Sequence, residues 1–203
     1  MSLKRTNNIL LTAIIVVNGF TMLSPAWPMV RFWWVRHFTH QQQALAVYTQ
    51  PSAPTSSGTR RIVNPVPSDN RLIIPEIALN DHLYEGTDAY TTLRKGVWHW
   101  NQGSDPSKGG NTILLGHRWG YYPDPTGVFY HLDLLKKGDK IAVYWQGKRY
   151  LYQVAFTEVV KPTDTHLVQP TSKPTLTLYT CTSLLTGINR LFVVSNLIEG
   201  PSS

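Results

Sequence analysis

Hydrophobic positions fall along this chain in two different textures. From Ile9 to Trp27, "ILLTAIIVVNGFTMLSPAW" is apolar almost throughout, broken only by Thr, Asn, Ser and Pro and free of charge. At nineteen residues such a run predicts a helix able to cross a hydrocarbon core of about 30 Å. From Arg71 onward the apolar residues come instead in short runs between turn residues. "RLIIPEIAL" reads as two short strands around a proline break, and "NTILLGH" as a buried strand ending at a turn. "KIAVYWQGKRYLYQVAFTEVV" alternates on both sides of Gln146-Gly147, which predicts a hairpin. "TLTLYTC" and "RLFVVSNL" read as two further strands, and only "VFYHLDLLKKGD" suggests a helical turn. Many short strands with few helices predict a mainly β domain, either a closed barrel or a sandwich.

Between these textures, Gln41 to Asn70 is rich in Pro, Ser and Thr ("TQPSAPTSSGTRR", "NPVPSDN"). That composition predicts a linker unable to bury enough apolar area to order itself. The expected organisation is a cytoplasmic segment over 1–8, a transmembrane signal-anchor over 9–27 and a juxtamembrane segment with linker over 28–70. A mainly β domain over 71–198 and a tail over 199–203 follow. Trp27 and "RFWWVR" suit an interfacial aromatic belt. A cleaved signal peptide is the rival reading, with Ser24 and Ala26 as the small residues before the cut.

Charge refines this picture. The formal net charge is +7, and charged residues make up only 15% of the chain. The excess lies toward the N-terminus, where Lys4, Arg5, Arg31, Arg36, Arg60 and Arg61 face only Asp69 in the first seventy residues. No basic stripe with interleaved aromatics marks the body, which argues against a nucleic-acid partner. Basic residues flanking an apolar run point to a membrane instead.

The chain has one cysteine, Cys181, so no intrachain disulfide is possible. It ends "LTLYTC", and Arg190 opens the next strand. If those strands pair as antiparallel neighbours, thiol and guanidinium face each other across their connecting loop. Of the seven histidines, His117 stands out, because it follows a buried strand and a glycine. Strand-end mounting holds a reactive side chain well. A nucleophilic cysteine works as its thiolate, which nearby positive charge favours. Each of the three also has a plain reading: a small buried hydrophobe, a hydrogen-bonded surface histidine and an edge-capping arginine. No CxxC occurs, and His37 and His40 beside the apolar run make no metal signature, so no metal or other cofactor is expected.

Several segments in order resemble the sortase family. "LTLYTCT" followed by Arg190 in "NRLFVV" resembles its TLxTC signature and the arginine on the next strand. "NTILLGHR" is similar to its histidine segment, and "RLIIPEIALNDHLYEG" to its opening strands. "LRKGVWHW" resembles its L-x-x-G-x-G-H stretch with Trp98 in place of a glycine, and "FYHLDLLKKGDKIAVYW" resembles its F-x-x-L-x-x-L-x-x-G-D-x-I segment. The resemblance implies a sortase-like eight-stranded β-barrel and a membrane-anchored cysteine transpeptidase of the cell surface, with its catalytic domain outside the cytoplasm. Cys181, His117 and Arg190 are then the expected catalytic residues, and Thr180 and Leu178 of the same motif are expected to bind substrate. The implied partners are an LPXTG-like sorting-signal peptide and an amine acceptor from the cell wall or a pilin lysine. Calcium activation occurs in part of the family, but no acidic cluster here supports it. Two other readings use the same residues: a membrane-tethered peptide-binding module without turnover, and a thiol hydrolase that releases surface protein.

Overall fold

A computed structural model describes residues 3–23, 30, 33–34, 41–50, 66–120, 127–182 and 189–201. The chain divides into two units, Met1–His40 and Gln41–Ser203.

The first unit carries α1, Leu3–Leu23. Its apolar residues, among them Ile9, Leu10, Ile15, Val17 and Phe20, are exposed. Three of its polar side chains turn back onto the helix. Thr12 Oγ1 donates to Asn8 O at 2.9 Å, Asn18 Nδ2 to Ile14 O at 2.8 Å and Thr21 Oγ1 to Val17 O at 3.1 Å. Helix α1 takes in Ile9–Leu23 of the expected span of Ile9 to Trp27 and begins earlier, at Leu3. Residues 24–29, with the Ala26 cleavage point, lie outside the described residues. Among the described residues, no helix is long and apolar enough to cross a membrane.

The second unit is a closed barrel in the order β1-β2-β3-β4-β7-β8-β6-β5. Its strands are β1 Arg71–Ile74, β2 Leu79–Tyr84, β3 Val97–His99 and β4 Asn111–Leu115, followed by β5 Lys140–Trp145, β6 Lys148–Val160, β7 Thr175–Cys181 and β8 Arg190–Glu199. Pro75–Ile77 forms the expected break between β1 and β2 as a 3₁₀ turn, closed by Ala78 at a left-handed φ of 52°. Gln146 and Gly147 turn the β5–β6 hairpin with φ of 51° and 72°. Two consecutive positive φ values match the right-handed twist of the flanking strands. Leu132–Leu134 is a 3₁₀ turn, as the sequence suggests. A short helix, α3 (Ala89–Leu93), begins at Asp88, whose carboxylate accepts from Thr91 N. Most neighbours pair antiparallel, but β2 pairs with β3 and β4 with β7 in parallel.

The barrel interior is filled by alternate residues, including Leu72, Leu114, Val143, Tyr152, Leu176 and Val193. Each such side chain removed from water contributes roughly 1.5–3 kcal/mol. A second, outer cluster corrects the linker expectation. Helix α2, Gln41–Ala46, sets Leu45 on Ile73, Ala142, Tyr144 and Leu151 from outside the barrel. Tyr48 meets Tyr144 edge-on at 6.0 Å, and Arg149 Nη1 donates to Gln50 O at 2.7 Å. Composition averaged over 41–70 hid the apolar "ALAVY" that this outer face requires. Residues 51–65 of the expected linker lie outside the described residues.

Candidate active site

Sequence brings Cys181 to the last position of β7 and Arg190 to the first of β8. The two strands pair antiparallel with Cys181 directly opposite Arg190. Side chains directly opposite one another leave a sheet on the same face. Leu176 and Leu178 belong to the interior cluster. The odd-numbered residues of β7 therefore face outward, and thiol and guanidinium share the outer wall of the barrel.

The histidine reaches the same place by non-local pairing. In the parallel β4–β7 ladder, Leu115 stands opposite Tyr179. The contact runs on past the strand end, with Gly116 N donating to Tyr179 O at 3.2 Å and Thr180 Oγ1 to Gly116 O at 2.8 Å. His117 follows Gly116 just beyond this paired end, on the side of β7 that ends in Cys181. The returning segment clamps it, because Phe129 N donates to His117 O and Gly127 N to Arg118 O, each at 2.9 Å. This approach needs glycine: a Cβ at position 127 would lie 2.1 Å from His117 O. Arg118 Nη2 donates to Asp133 Oδ2 at 2.7 Å and ties the same corner to the Leu132–Leu134 turn.

Burial lowers the pKa of His117 below 6.5, so the imidazole is neutral near pH 7 and able to accept a proton. His131, also half-buried and near the cation of Arg118, is pushed down to about 4, chiefly by desolvation. Arg190 is held from its own sheet. Its Nε donates to Tyr179 Oη at 2.9 Å, and its Nη1 to Asn189 O at 3.3 Å. Thr182 closes the base of the β7–β8 connection through its N and Oγ1, both donating to Asn189 O. Residues 183–188 of that connection and 121–126 after His117 lie outside the described residues.

Thr180 and Leu178, the two residues expected to bind substrate, both lie within the barrel wall. Leu178 is fully buried in the barrel interior, and Thr180 is buried with its hydroxyl bound to Gly116 O. In this position they pack the interior and staple β7 to β4. The residue that sequence reasoning passed over is Tyr179, at the variable position of the signature. Its phenol orients Arg190, and its ring packs against Phe192 at 4.7 Å between centroids. Among the described residues, no group of three or more His, Cys, Asp or Glu is arranged to hold a metal ion.

The register thus sets Cys181 opposite Arg190 and lays the β4 end that leads to His117 alongside β7; these are the residue types that acyl transfer by a cysteine uses. Residues 72–198 match the family model described as "Sortase domain". The chain is 32% identical to "Sortase D" of Bacillus subtilis (strain 168) over 111 residues, 54% of this chain and 52% of that protein. It is 25% identical to "Sortase SrtE1" of Streptomyces coelicolor over 202 residues, 92% of this chain and 56% of that one. The chain thus spans about half the length of each of these curated relatives. Among solved structures, "Sortase A from Corynebacterium diphtheriae" is similar with a TM-score of 0.58 at 29% identity, over 66% of this chain and 61% of that one. "Sortase C1 of GBS Pilus Island 1" is similar with a TM-score of 0.57 at 28% identity, over 64% of this chain and 65% of that one.

Proposed function

Because the chain belongs to the sortase family, we propose that it is a cysteine transpeptidase of the cell surface with Cys181, His117 and Arg190 as its catalytic residues. The single observation that carries this reading is the register: Cys181 opposite Arg190, beside a β4 end that carries His117. Neutral His117 takes the proton of the Cys181 thiol, and Sγ attacks the Thr–Gly carbonyl of an LPXTG-like sorting signal. Arg190 donates hydrogen bonds to the oxyanion that forms, a role suited to a guanidinium that stays charged and is already oriented. His117 returns the proton to the departing glycine amine as the C–N bond breaks, leaving an acyl thioester on Cys181. An incoming amine from a cell-wall precursor or a pilin lysine loses a proton to His117 and displaces Sγ. The product amide forms and the thiol is regenerated. Every proton removed is thereby returned, and this sequence requires no metal.

The catalytic unit proposed spans residues 71–198, with 1–8 on the cytoplasmic side and α1 tethering the chain to the membrane. The exposed apolar surface of α1 supports tethering, as do Thr12, Asn18 and Thr21 within it, each bonded back to a helix carbonyl. Polar groups satisfied within the helix cost less in a lipid environment. Resistance of the full chain to alkaline extraction from membranes, lost on deleting residues 1–23, is the expected result.

The test of the activity is incubation of the chain with an LPXTG-like peptide, with and without an added amine, read by mass spectrometry. A transpeptidase forms the amine-linked product and a trapped acyl-Cys181 adduct. Equal hydrolysis with or without amine would instead assign a thiol hydrolase. Peptide binding without any adduct would leave a binding module.

A further inference from the structure

We infer that Asn111 is a positioning residue that holds the β6–β7 loop, residues 161–174, in register with the strand that carries Cys181, and that the enzyme's binding of its peptide depends on this tie. The inference rests on the sortase reading for the identity of that peptide, a sorting signal.

Asn111 opens β4 on the same outer face as Leu115 and, in the parallel ladder, as Tyr179 and Cys181. Its side chain is polar yet buried, at 3% exposure. Its Nδ2 donates to two carbonyls of the loop, Leu167 O and Gln169 O, each at 3.0 Å. Its Oδ1 accepts from Thr177 Oγ1 at 2.7 Å, and Thr177 is fully buried. That third bond decides the orientation of the amide. The hydroxyl of Thr177 claims the oxygen, so both N–H groups are left to point at the loop.

The rest of the loop is held largely by itself. Asp164 N donates to Lys161 O, Val168 N to Thr165 O, Gln169 Nε2 to Thr165 O and Thr171 Oγ1 to Lys173 O. His166, paired with Asp164 and Glu158, sits at the solvent side of the loop. Its two ends continue into β6 and β7. The middle, around the 3₁₀ turn His166–Val168, reaches the barrel through Asn111 and, at its solvent side, through His166 to Glu158 of β6 at 3.7 Å. Thr177, the partner of that amide, lies only two and four residues before Tyr179 and Cys181 on one strand face. A strand advances about 3.3 Å per residue, so the loop is registered to the nucleophile through a rigid ladder. A buried amide with all its donors engaged is costly to disturb, since breaking one contact leaves the others unpaired.

Three variants of the full chain test this: Asn111→Asp, Thr177→Val and Thr177→Ser. Asn111→Asp keeps the shape but sets an oxygen against two carbonyls. The expected result is at least a tenfold rise in backbone hydrogen exchange across residues 166–169, with KM for the sorting peptide raised about fivefold or more. The alkylation rate of Cys181 by iodoacetamide stays within about twofold of the parent. Thr177→Val shifts exchange and KM in the same direction, and Thr177→Ser, which keeps the hydroxyl, restores both. Unchanged loop exchange, or a lowered melting temperature with parental KM, overturns the inference and makes Asn111 a fold residue only. If the parent turns over no sorting-signal peptide, the sortase reading fails by itself, and the exchange measurement alone still decides whether Asn111 holds the loop.

Discussion

Replacing Tyr179 with Phe removes one oxygen and leaves the barrel intact, and it tests how Arg190 is held. The phenol oxygen accepts from Arg190 Nε at 2.9 Å, on the same sheet face that presents Cys181. A hydrogen bond to a charged group contributes roughly 1.5–3 kcal/mol. Both partners are only partly buried, so solvent competes and the lower end, about 1.5 kcal/mol, is the reasonable expectation. At about 1.4 kcal/mol per factor of ten, kcat for transpeptidation should fall about tenfold if that energy orients the guanidinium toward the oxyanion. KM should change little, because the interaction matters most when the negative charge develops. The ring keeps its packing on Phe192, so the melting temperature should drop by no more than about 3–6 °C. The assay is steady-state transfer of a sorting-signal peptide to an amine, run for the parent, Tyr179→Phe, Arg190→Ala and the double variant. If Tyr179 acts through Arg190, Tyr179→Phe costs nothing further in the Arg190→Ala background. An undiminished tenfold loss in that background would refute the reasoning and give Tyr179 a separate role.

Cys181→Ala should abolish the trapped acyl-enzyme, since the chain has no other thiol, and His117→Ala should lower turnover by about two to four orders of magnitude; both are read in the same transfer assay beside a melting curve. Gly127→Ala should lower both activity and melting temperature, because the added Cβ would lie 2.1 Å from the His117 carbonyl oxygen, a backbone atom that cannot step aside without moving the histidine; parental turnover would show that the clamp does not position His117. Stability should also fall as the pH drops from 6.5 toward about 4, because His131 is held neutral in the folded chain while the unfolded chain takes up a proton near 6.5. Solvent contact trims that contribution to about 1–2 kcal/mol, and urea unfolding at pH 7 and pH 4.5 should show it shrinking in His131→Gln.

Much of the barrel was legible from local pattern. The β5–β6 hairpin needs only alternation around a two-residue turn, and both are contiguous in sequence. The proline break between β1 and β2 is equally local, because proline fixes its own φ and withdraws its own N–H. The placement of Cys181 at a strand end and of Arg190 at the next strand start follows the same way.

Other features depend on contacts no local window contains. α2 is short and weakly apolar by itself, and it is ordered by the outer surface of β1, β5 and β6 that Leu45 covers. The parallel pairing of β4 with β7 joins residues more than sixty positions apart; it lays the β4 end that leads to His117 alongside β7, and it gives Asn111 its partners. The facing of β7 was also beyond the sequence. Leu176, Thr177 and Leu178 are all buried, since the barrel interior covers one side and the β6–β7 loop the other. With both faces covered, alternation of apolar and polar residues no longer tells inside from outside. Chemistry at the strand ends was therefore written in the sequence, whereas which side chains flank it was decided by closure of the barrel. Closure turned Thr180 and Leu178 inward and left Tyr179 beside the arginine, because a residue's face is set by the strand's neighbours and not by the strand.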